Sequence, residues 1–198
     1  MKFLDQVQQS LGAVNGYELP FSIADFLVPS KSTDQLIIKE GETDAELLVC
    51  LRESLLTSFS DKNFPADFQL QLLPDLSVVI EELSHFNTYC LSAAQDREIS
   101  EVELEVQGEV DKFGVALDFL HQRNEESLKE KVFEVLFQNC KLGEWVKPED
   151  EQRYYDAHQI ARNFCRSVLE EGLNFEQSRS KFRAFFKSSR EVKLSSKY

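Results

Sequence analysis

Several residue types that build catalytic and cofactor sites are scarce in this chain. Its 198 residues include three histidines, one methionine, one tryptophan and seven glycines. No segment carries a Walker loop, a G-x-G-x-x-G fingerprint, a G-x-S-x-G elbow or the protein-kinase motifs. The sequence therefore shows no local signature of a nucleotide-binding or nucleophilic enzyme, and we expect no catalytic residue and no cofactor.

Long hydrophobic runs are missing as well. The first residues, MKFLDQVQQSLGAV, contain Asp5 and several glutamines, which is untypical of a secretory signal peptide. No apolar run approaches the roughly 18 residues that cross a membrane. These two absences predict a cytoplasmic protein.

The cysteines are few and far apart. None belongs to a C-x-x-C pair, which argues against a zinc knuckle and against a thioredoxin-type redox site. Free thiols on apolar faces are the expectation for a cytoplasmic chain. The four positions are Cys50, Cys90, Cys140 and Cys165.

The composition that is present is that of a globular domain with an acidic surface. Hydrophobic residues make up 42% of the chain and charged residues 29%, which is ordinary for such proteins. The formal net charge is −13. Because phosphate groups are repelled by an acidic surface, the chain as a whole is not expected to bind nucleic acid.

The charge is nevertheless uneven. Residues 179–198 hold seven lysines and arginines and one acid, so this tail carries +6 and residues 1–178 carry −19. Docking of the tail on the acidic body is the favoured interpretation. The alternative is an arm for a protein, RNA or an anionic membrane, since phenylalanines alternate with cations there. Residues 191–198 are expected to be frayed and exposed.

The first 73 residues predict a small α+β unit. A short amphipathic helix opens the chain. Leu36–Lys39 and Ala45–Leu51 are extended-type runs around the turn EGETD and predict a β-hairpin. The segment SLLTSF, which follows the second run closely, is compatible with a short helix or an edge strand.

Residues 74–188 predict five helices joined by short connections, hence an antiparallel bundle. The helices are expected at 75–94, at 100–123, from Asn124, from Pro148 to Gly172 and from Asn174. Capping boxes, Ser100 with Glu103 and Asn174 with Gln177, open two of them. Gly143 is expected to end the third helix and Trp145 to close the bundle end. Residues 189–198 form the basic C-terminal end.

Spacing of apolar residues gives the second of these helices a clear core face. The stripe contains Val106, Val110, Phe113 and Leu117, at intervals of three and four residues. We expect this stripe to be buried against Val79, Leu83 and Phe86 of the preceding helix. The interpretation predicts a fold that is α+β and mostly helical.

Metal-ligating patterns are the strongest chemical signal that remains. Glu82 and His85 stand three residues apart, as in one half of the ligand set of carboxylate-bridged di-iron bundles. A complete set needs a second Glu-x-x-His pair, but aspartate precedes His121 and tyrosine precedes His158 at that spacing. A metal-dependent bundle enzyme is therefore the second hypothesis. Its candidate ligands are Glu82, His85, Glu109, His121 and His158.

Helical geometry predicts where these side chains lie. Glu82 and His85 are expected on a half-buried edge, with Glu81 facing solvent. His158 is expected among apolar neighbours that include Tyr155, as a hydrogen-bonded core histidine. We therefore expect that the three histidines do not converge on one ion with Glu82.

The function that these observations favour is non-catalytic. The chain is interpreted as an adaptor or regulatory domain that acts through protein–protein interaction. Its acidic surface is suited to attracting a basic partner protein. The third hypothesis is binding of RNA or an anionic membrane, and only through residues 179–198.

Overall fold

The chain folds into an α+β structure that is mostly helical, as predicted. A computed structural model describes residues 1–41, 44–138 and 148–195. Its strands are β1 (Leu27–Ser30), β2 (Gln35–Glu40) and β3 (Ala45–Arg52). Its helices are α1 (Lys2–Asn15), α2 (Glu53–Phe59), α3 (Leu73–Ala93), α4 (Glu101–Gln122), α5 (Lys129–Phe137), α6 (Glu151–Glu170), α7 (Phe175–Lys187) and α8 (Arg190–Leu194). Within the described ranges, no helix combines the length and the apolar character needed to cross a bilayer.

The three strands form one sheet in the order β1-β3-β2. β2 runs antiparallel to β3, with Leu36 opposite Val49, and β1 runs parallel to β3. The two extended runs expected from the sequence lie inside β2 and β3, whereas β1 was not expected. β1 has only four residues and contains Pro29, so its sequence carries little strand signal. Two residues of the EGETD turn, 42 and 43, lie outside the described residues.

α4 is the central helix of the structure. It contacts α1, α3, α5, α6, α7 and α8. The predicted stripe is buried, and Val106, Val110 and Phe113 are fully inaccessible. The rest of the helix is also largely enclosed, which the stripe alone did not predict. Its buried polar side chains are Glu103, Glu105, Gln107, Asp111, Lys112 and Asp118.

Close packing of α1 against α4 depends on Gly114. A Cβ atom at this position would lie 2.8 Å from Cγ1 of Val14 in α1, closer than van der Waals contact permits. Glycine in a helix interior costs about 0.5–1 kcal/mol relative to alanine, and here it permits the approach of a neighbouring helix. Because α1 packs on α4, contacts cross the boundary proposed at residue 73; that division stays a prediction.

Several helix ends follow the sequence signals and one does not. Both expected capping boxes, at Ser100 and Asn174, are formed. The third helix begins at Lys129, after a 3-10 turn, and not at Asn124. Asn124 adopts a positive φ of 58°, a left-handed conformation that asparagine tolerates better than most residues. Cys140 and the predicted roles of Gly143 and Trp145 lie outside the described residues.

The aromatic residues of the basic tail helix face the body. Phe175, Phe182 and Phe185 of α7 are buried, in agreement with the docked arrangement. The Phe182 ring packs edge-on against Phe113 of α4, with ring centroids 6.2 Å apart. The tail helix therefore closes the core over α4 instead of projecting from it.

The expectation that residues 191–198 are frayed is wrong for α8. Lys193 has no accessible surface, and its ammonium group donates to Oε1 of Gln107 over 3.1 Å. The same ammonium lies 5.3 Å from the centre of the Phe186 ring, within cation–π range. Lysines in basic segments are usually solvated. The burial of Lys193 is therefore explained by its contacts with α4 and α7.

Lys193 joins a buried hydrogen-bond network around Asp111. The Asp111 carboxylate accepts hydrogen bonds from Asn15 and Gln107, each at 2.8 Å, and from Ser84 at 2.6 Å. Burial raises the pKa of Asp111 to about 6, although these hydrogen bonds oppose the shift. The network links α1, α3, α4 and α8 through one carboxylate.

Replacing Phe113 tests the central position of α4. Its ring also packs edge-on against Phe133 and Phe137 of α5. Phe113→Ala should reduce the free energy of unfolding by about 3–5 kcal/mol, because a large cavity is left in a closely packed core. Tyr155→Ala, at an exposed position of α6, should change it by less than about 0.5 kcal/mol. Denaturant unfolding measures both, and a Phe113→Ala loss below about 1 kcal/mol would contradict the buried stripe.

Burial of Lys193 predicts a characteristic pH dependence of stability. Burial and the nearby positive charge of Arg97 lower the pKa of Lys193 to about 8. In the unfolded chain a lysine titrates near 10.4, so between these values the unfolded state binds more protons and stability rises with pH. From pH 7 to pH 9.5 the native chain should gain about 2 kcal/mol relative to Lys193→Met.

The matched control for this measurement is Lys187→Met, since Lys187 is exposed on α7. The difference in unfolding free energy between the native chain and this variant should not change over the same pH interval. A constant difference between the native chain and Lys193→Met would show that Lys193 is solvated and that α8 is frayed.

Candidate functional site

Charged side chains are concentrated where α3, α4 and α6 meet. The positions 105, 109 and 112 fall on one side of α4 because residues three and four apart are neighbours on a helix. Side chains from α3 and α6 approach the same side. We call this group the charged cluster; its members are Glu81, His85, Glu105, Glu109, Lys112, Arg153 and His158.

Lys112 neutralises one half of the charged cluster. Its ammonium group lies 2.8 Å from Oε2 of Glu81 and 2.6 Å from Oε1 of Glu109. Burial alone would lower the pKa of Lys112, but the two carboxylates outweigh it and raise the pKa. Burial alone would raise the pKa of Glu109, but Lys112 and a hydrogen bond to His158 hold it well below its usual range.

Glu105 and His85 are less well satisfied. Oε2 of Glu105 lies 3.7 Å from Nε2 of His85, and neither atom has a hydrogen-bond partner. Burial, reinforced by the negative charge of Glu81, raises the pKa of Glu105 to about 8. Burial also lowers the pKa of His85. This half of the charged cluster is therefore disposed to bind a proton or a cation.

The structure places Glu81 beside His85 and separates Glu82 from it. Glu81 is only 18% exposed at its side chain and is bound to Lys112, so the expectation that it faces solvent is wrong. One ligand-type atom from each of Glu81, His85 and Glu105 lies within 4.8 Å of the others. Glu82 is buried on the side of α3 that is nearer the sheet; burial, together with the negative charge of Glu82, raises the pKa of the Cys50 thiol in β3. The spacing Glu81-x-x-x-His85 is the signal that sequence reasoning passed over.

The other two predicted histidines have separate partners. His158 lies 3.1 Å from Glu109, as expected for a histidine paired with a carboxylate. Its neighbour Tyr155 is 56% exposed, so its expected place on the apolar face of α6 is wrong. His121 stacks on Phe175 with ring centroids 4.5 Å apart. It stands sixteen residues beyond Glu105 on α4, roughly 24 Å along the helix axis.

The sheet presents a second candidate surface. Ile37 and Leu48 are a cross-strand pair, so their side chains share one face. Val28 pairs with Cys50, two residues after Leu48, and therefore belongs to the same face. We call these three side chains, Val28, Ile37 and Leu48, the outer apolar face. They are 38%, 38% and 43% exposed and make up half of the six large exposed hydrophobic residues in the described ranges.

The opposite face of the sheet belongs to the core. Val49 and Leu51 have no accessible surface, and α3 packs on both β2 and β3. A sheet covered on one side only normally alternates apolar inward and polar outward residues. β2 and β3 depart from that rule at the outer apolar face. Folding alone does not explain why apolar side chains are exposed there.

Removing Lys112 tests whether the charged cluster is held by this one cation. Lys112→Met removes the ammonium group shared by the carboxylates of Glu81 and Glu109 and should reduce the free energy of unfolding by about 3–5 kcal/mol. Adding Glu81→Gln and Glu109→Gln to the same chain should recover most of the loss, because both partners are then neutral. Lys39→Met, in an exposed pair with Glu46, should cost less than about 1 kcal/mol. A Lys112→Met loss as small as that of Lys39→Met would contradict the assignment.

Comparisons with protein-family models, with curated proteins and with solved structures found no match for this chain. The chemistry and geometry of the described residues provide two candidate sites, the charged cluster and the outer apolar face. The charged cluster is enclosed between helices, whereas the outer apolar face is exposed and β2 forms an edge of the sheet among the described residues.

Proposed function

We propose that this chain acts as a non-catalytic binding protein that adds an extended segment of a partner protein to the β2 edge of its sheet. The single observation that carries the proposal is the outer apolar face beside an open strand edge. Backbone N–H and C=O groups on the outer side of an edge strand are available to pair with another chain. Apolar side chains next to that edge supply contacts for alternate residues of the added strand.

The two edges of the sheet differ in a way that favours β2. β1 is short and contains Pro29, which lacks a backbone N–H group and interrupts a strand ladder. β2 has six residues, contains no proline and keeps a continuous register with β3. Natural edge strands are commonly blocked by proline or by short length. β1 follows that pattern and β2 does not.

Charge defines the chemistry of the partner. The ends of β2 and β3 carry Glu40, Asp44 and Glu46, while Lys39 is already paired with Glu46. Residues 1–178, which include the sheet, carry a net charge of −19. A strand that alternates apolar residues with lysine or arginine would satisfy both the apolar face and the acidic surroundings.

Features elsewhere in the chain support this choice over the other two hypotheses. The aromatic residues that would enter a membrane or stack on RNA bases, Phe182 and Phe185, are buried against the body. If the chain were an enzyme that used the charged cluster, a substrate would have to reach this cluster. A cleft of about 1100 Å³ lies instead along α1 and residues 16–22, with no member of the charged cluster in its lining.

A peptide selection tests the proposal, because it finds the sequences that the chain itself binds. Random peptides displayed on phage and selected on the full chain should enrich sequences that alternate apolar and basic residues. Binding of these peptides should slow amide hydrogen exchange in β2 and should weaken as salt is added. Ile37→Lys should reduce affinity at least tenfold, because it places a positive charge in the outer apolar face.

Tyr155→Lys is the matched control, since it makes the same kind of change at an exposed aromatic residue on α6. It should bind the selected peptides as the native chain does. Peptides that leave hydrogen exchange in β2 unchanged, or that bind Ile37→Lys with full affinity, would exclude β2 as the binding edge.

A further inference from the structure

Glu81, His85 and Glu105 lie at separations that suit a shared cation. Nε2 of His85 and Oε2 of Glu105 are 3.7 Å apart, which exceeds the range of an N–H···O hydrogen bond. Ligands bound to a tetrahedral zinc ion at about 2.0–2.2 Å stand about 3.4 Å from one another. The observed separation is close to that value, and the third ligand-type atom, from Glu81, lies within 4.8 Å of both.

Two of these atoms lack a hydrogen-bond partner, although the Glu105 carboxyl group also interacts with Tyr154 and Arg153. Glu105 is 7% exposed, and neither its Oε2 atom nor Nε2 of His85 has a hydrogen-bond partner. Leaving a buried polar atom unpaired costs about 1–3 kcal/mol, more for a charged group. Both atoms belong to side chains from facing helices, α3 and α4, and they point toward each other. Their arrangement is explained by a third species between them.

Gly108 makes the space in which the His85 ring sits. It lies on α4 between Glu105 and Glu109, and a Cβ atom there would be 3.0 Å from Nε2 of His85. The same Cβ would be 3.5 Å from Cγ of Glu81. Glycine is unfavourable in a helix interior, so its position opposite His85 has a structural consequence. It lets the imidazole edge approach the carboxylates.

The local charge favours a bound cation. The carboxyl groups of Glu81, Glu105 and Glu109 face two cationic side chains, Lys112 and Arg153. With the histidines neutral and these three carboxyl groups ionised, one negative charge remains, and either a proton or a bound cation balances it. Lys112 contacts Oε2 of Glu81, and a carboxylate has a second oxygen that can serve another partner.

We infer that Glu81, His85 and Glu105 bind one divalent transition-metal ion, of the class of Zn²⁺ or Mn²⁺, that joins α3 to α4. One imidazole and two carboxylates form a donor set that suits such ions better than Ca²⁺ or Mg²⁺, which prefer oxygen ligands alone. Because the ligands come from two helices and the cluster is enclosed, the ion has a structural role. Metal binding then contributes to the stability of the native chain.

Titration of the full chain with Zn²⁺ and with Mn²⁺ tests the site. After treatment with a chelator, calorimetry should show one ion bound per chain for at least one of the two metals, and this metal should raise the melting temperature. Glu105→Gln and His85→Asn should each weaken binding at least tenfold and remove most of the rise in melting temperature. Circular dichroism of the metal-free variants shows whether they are folded.

Two further variants test whether the metal binds at Glu81, His85 and Glu105 and not elsewhere. Gly108→Ala should also weaken binding, because its methyl group crowds His85, while it keeps every ligand and favours the helix. His121→Asn is the matched control; it removes a histidine that also lies beside a glutamate, Glu126, and should leave affinity unchanged.

Crystals grown with the bound metal give a direct readout through anomalous scattering. A peak within coordinating distance of Glu81, His85 and Glu105 is the expected result. Absence of saturable binding by either metal, an ordered water in place of the peak, or binding that survives Glu105→Gln unchanged would overturn the inference. None of these outcomes depends on the β2 edge, so the metal site and the proposed binding function fail or stand separately.

Discussion

Burial of polar groups on α4 is the constraint on which the rest of the structure depends. A helix enclosed by six others has no solvated face, yet α4 carries acidic, basic and amide side chains along its length. A buried charge is tolerated only when a neighbour supplies an opposite charge or hydrogen bonds. Helices α1, α3, α6 and α8 each bring a polar partner to a defined height on α4. That requirement restricts how these helices can be arranged, in addition to hydrophobic packing.

The partners fall into two groups on different sides of α4. On one side Asn15, Ser84 and Gln107 satisfy Asp111, and α8 adds Lys193 to the same network. On the other side the charged cluster joins α3 and α6 through Lys112. The Asp111 carboxylate accepts hydrogen bonds on both oxygens, although Oδ1 of Asn15 has no partner. In the charged cluster the unpaired atoms Oε2 of Glu105 and Nε2 of His85 lie 3.7 Å from each other, and this geometry makes the cluster a candidate ligand site.

Local signals in the sequence located most elements correctly. The capping boxes at Ser100 and Asn174 are short-range interactions that depend on residues three apart, and both are formed. The apolar stripe of α4 and the phenylalanines of α7 also predicted the faces that are buried. Asn124 misled the prediction of α5, because asparagine favours helix starts and left-handed turns alike. β1 was missed because its pairing with β3 joins residues distant in sequence.

The sequence by itself determined the helical character, the acidic body, the basic tail and the types of side chain available as ligands, since all of these follow from residue identity and short spacing. Tertiary structure alone decided which acid meets His85. Glu81 and Glu82 differ by about 100° around α3, and only the positions of α4 and the sheet place one beside Lys112 and the other on the side nearer the sheet. The burial of Lys193 was decided in the same way, because Gln107, which accepts its hydrogen bond, lies 86 residues away on α4.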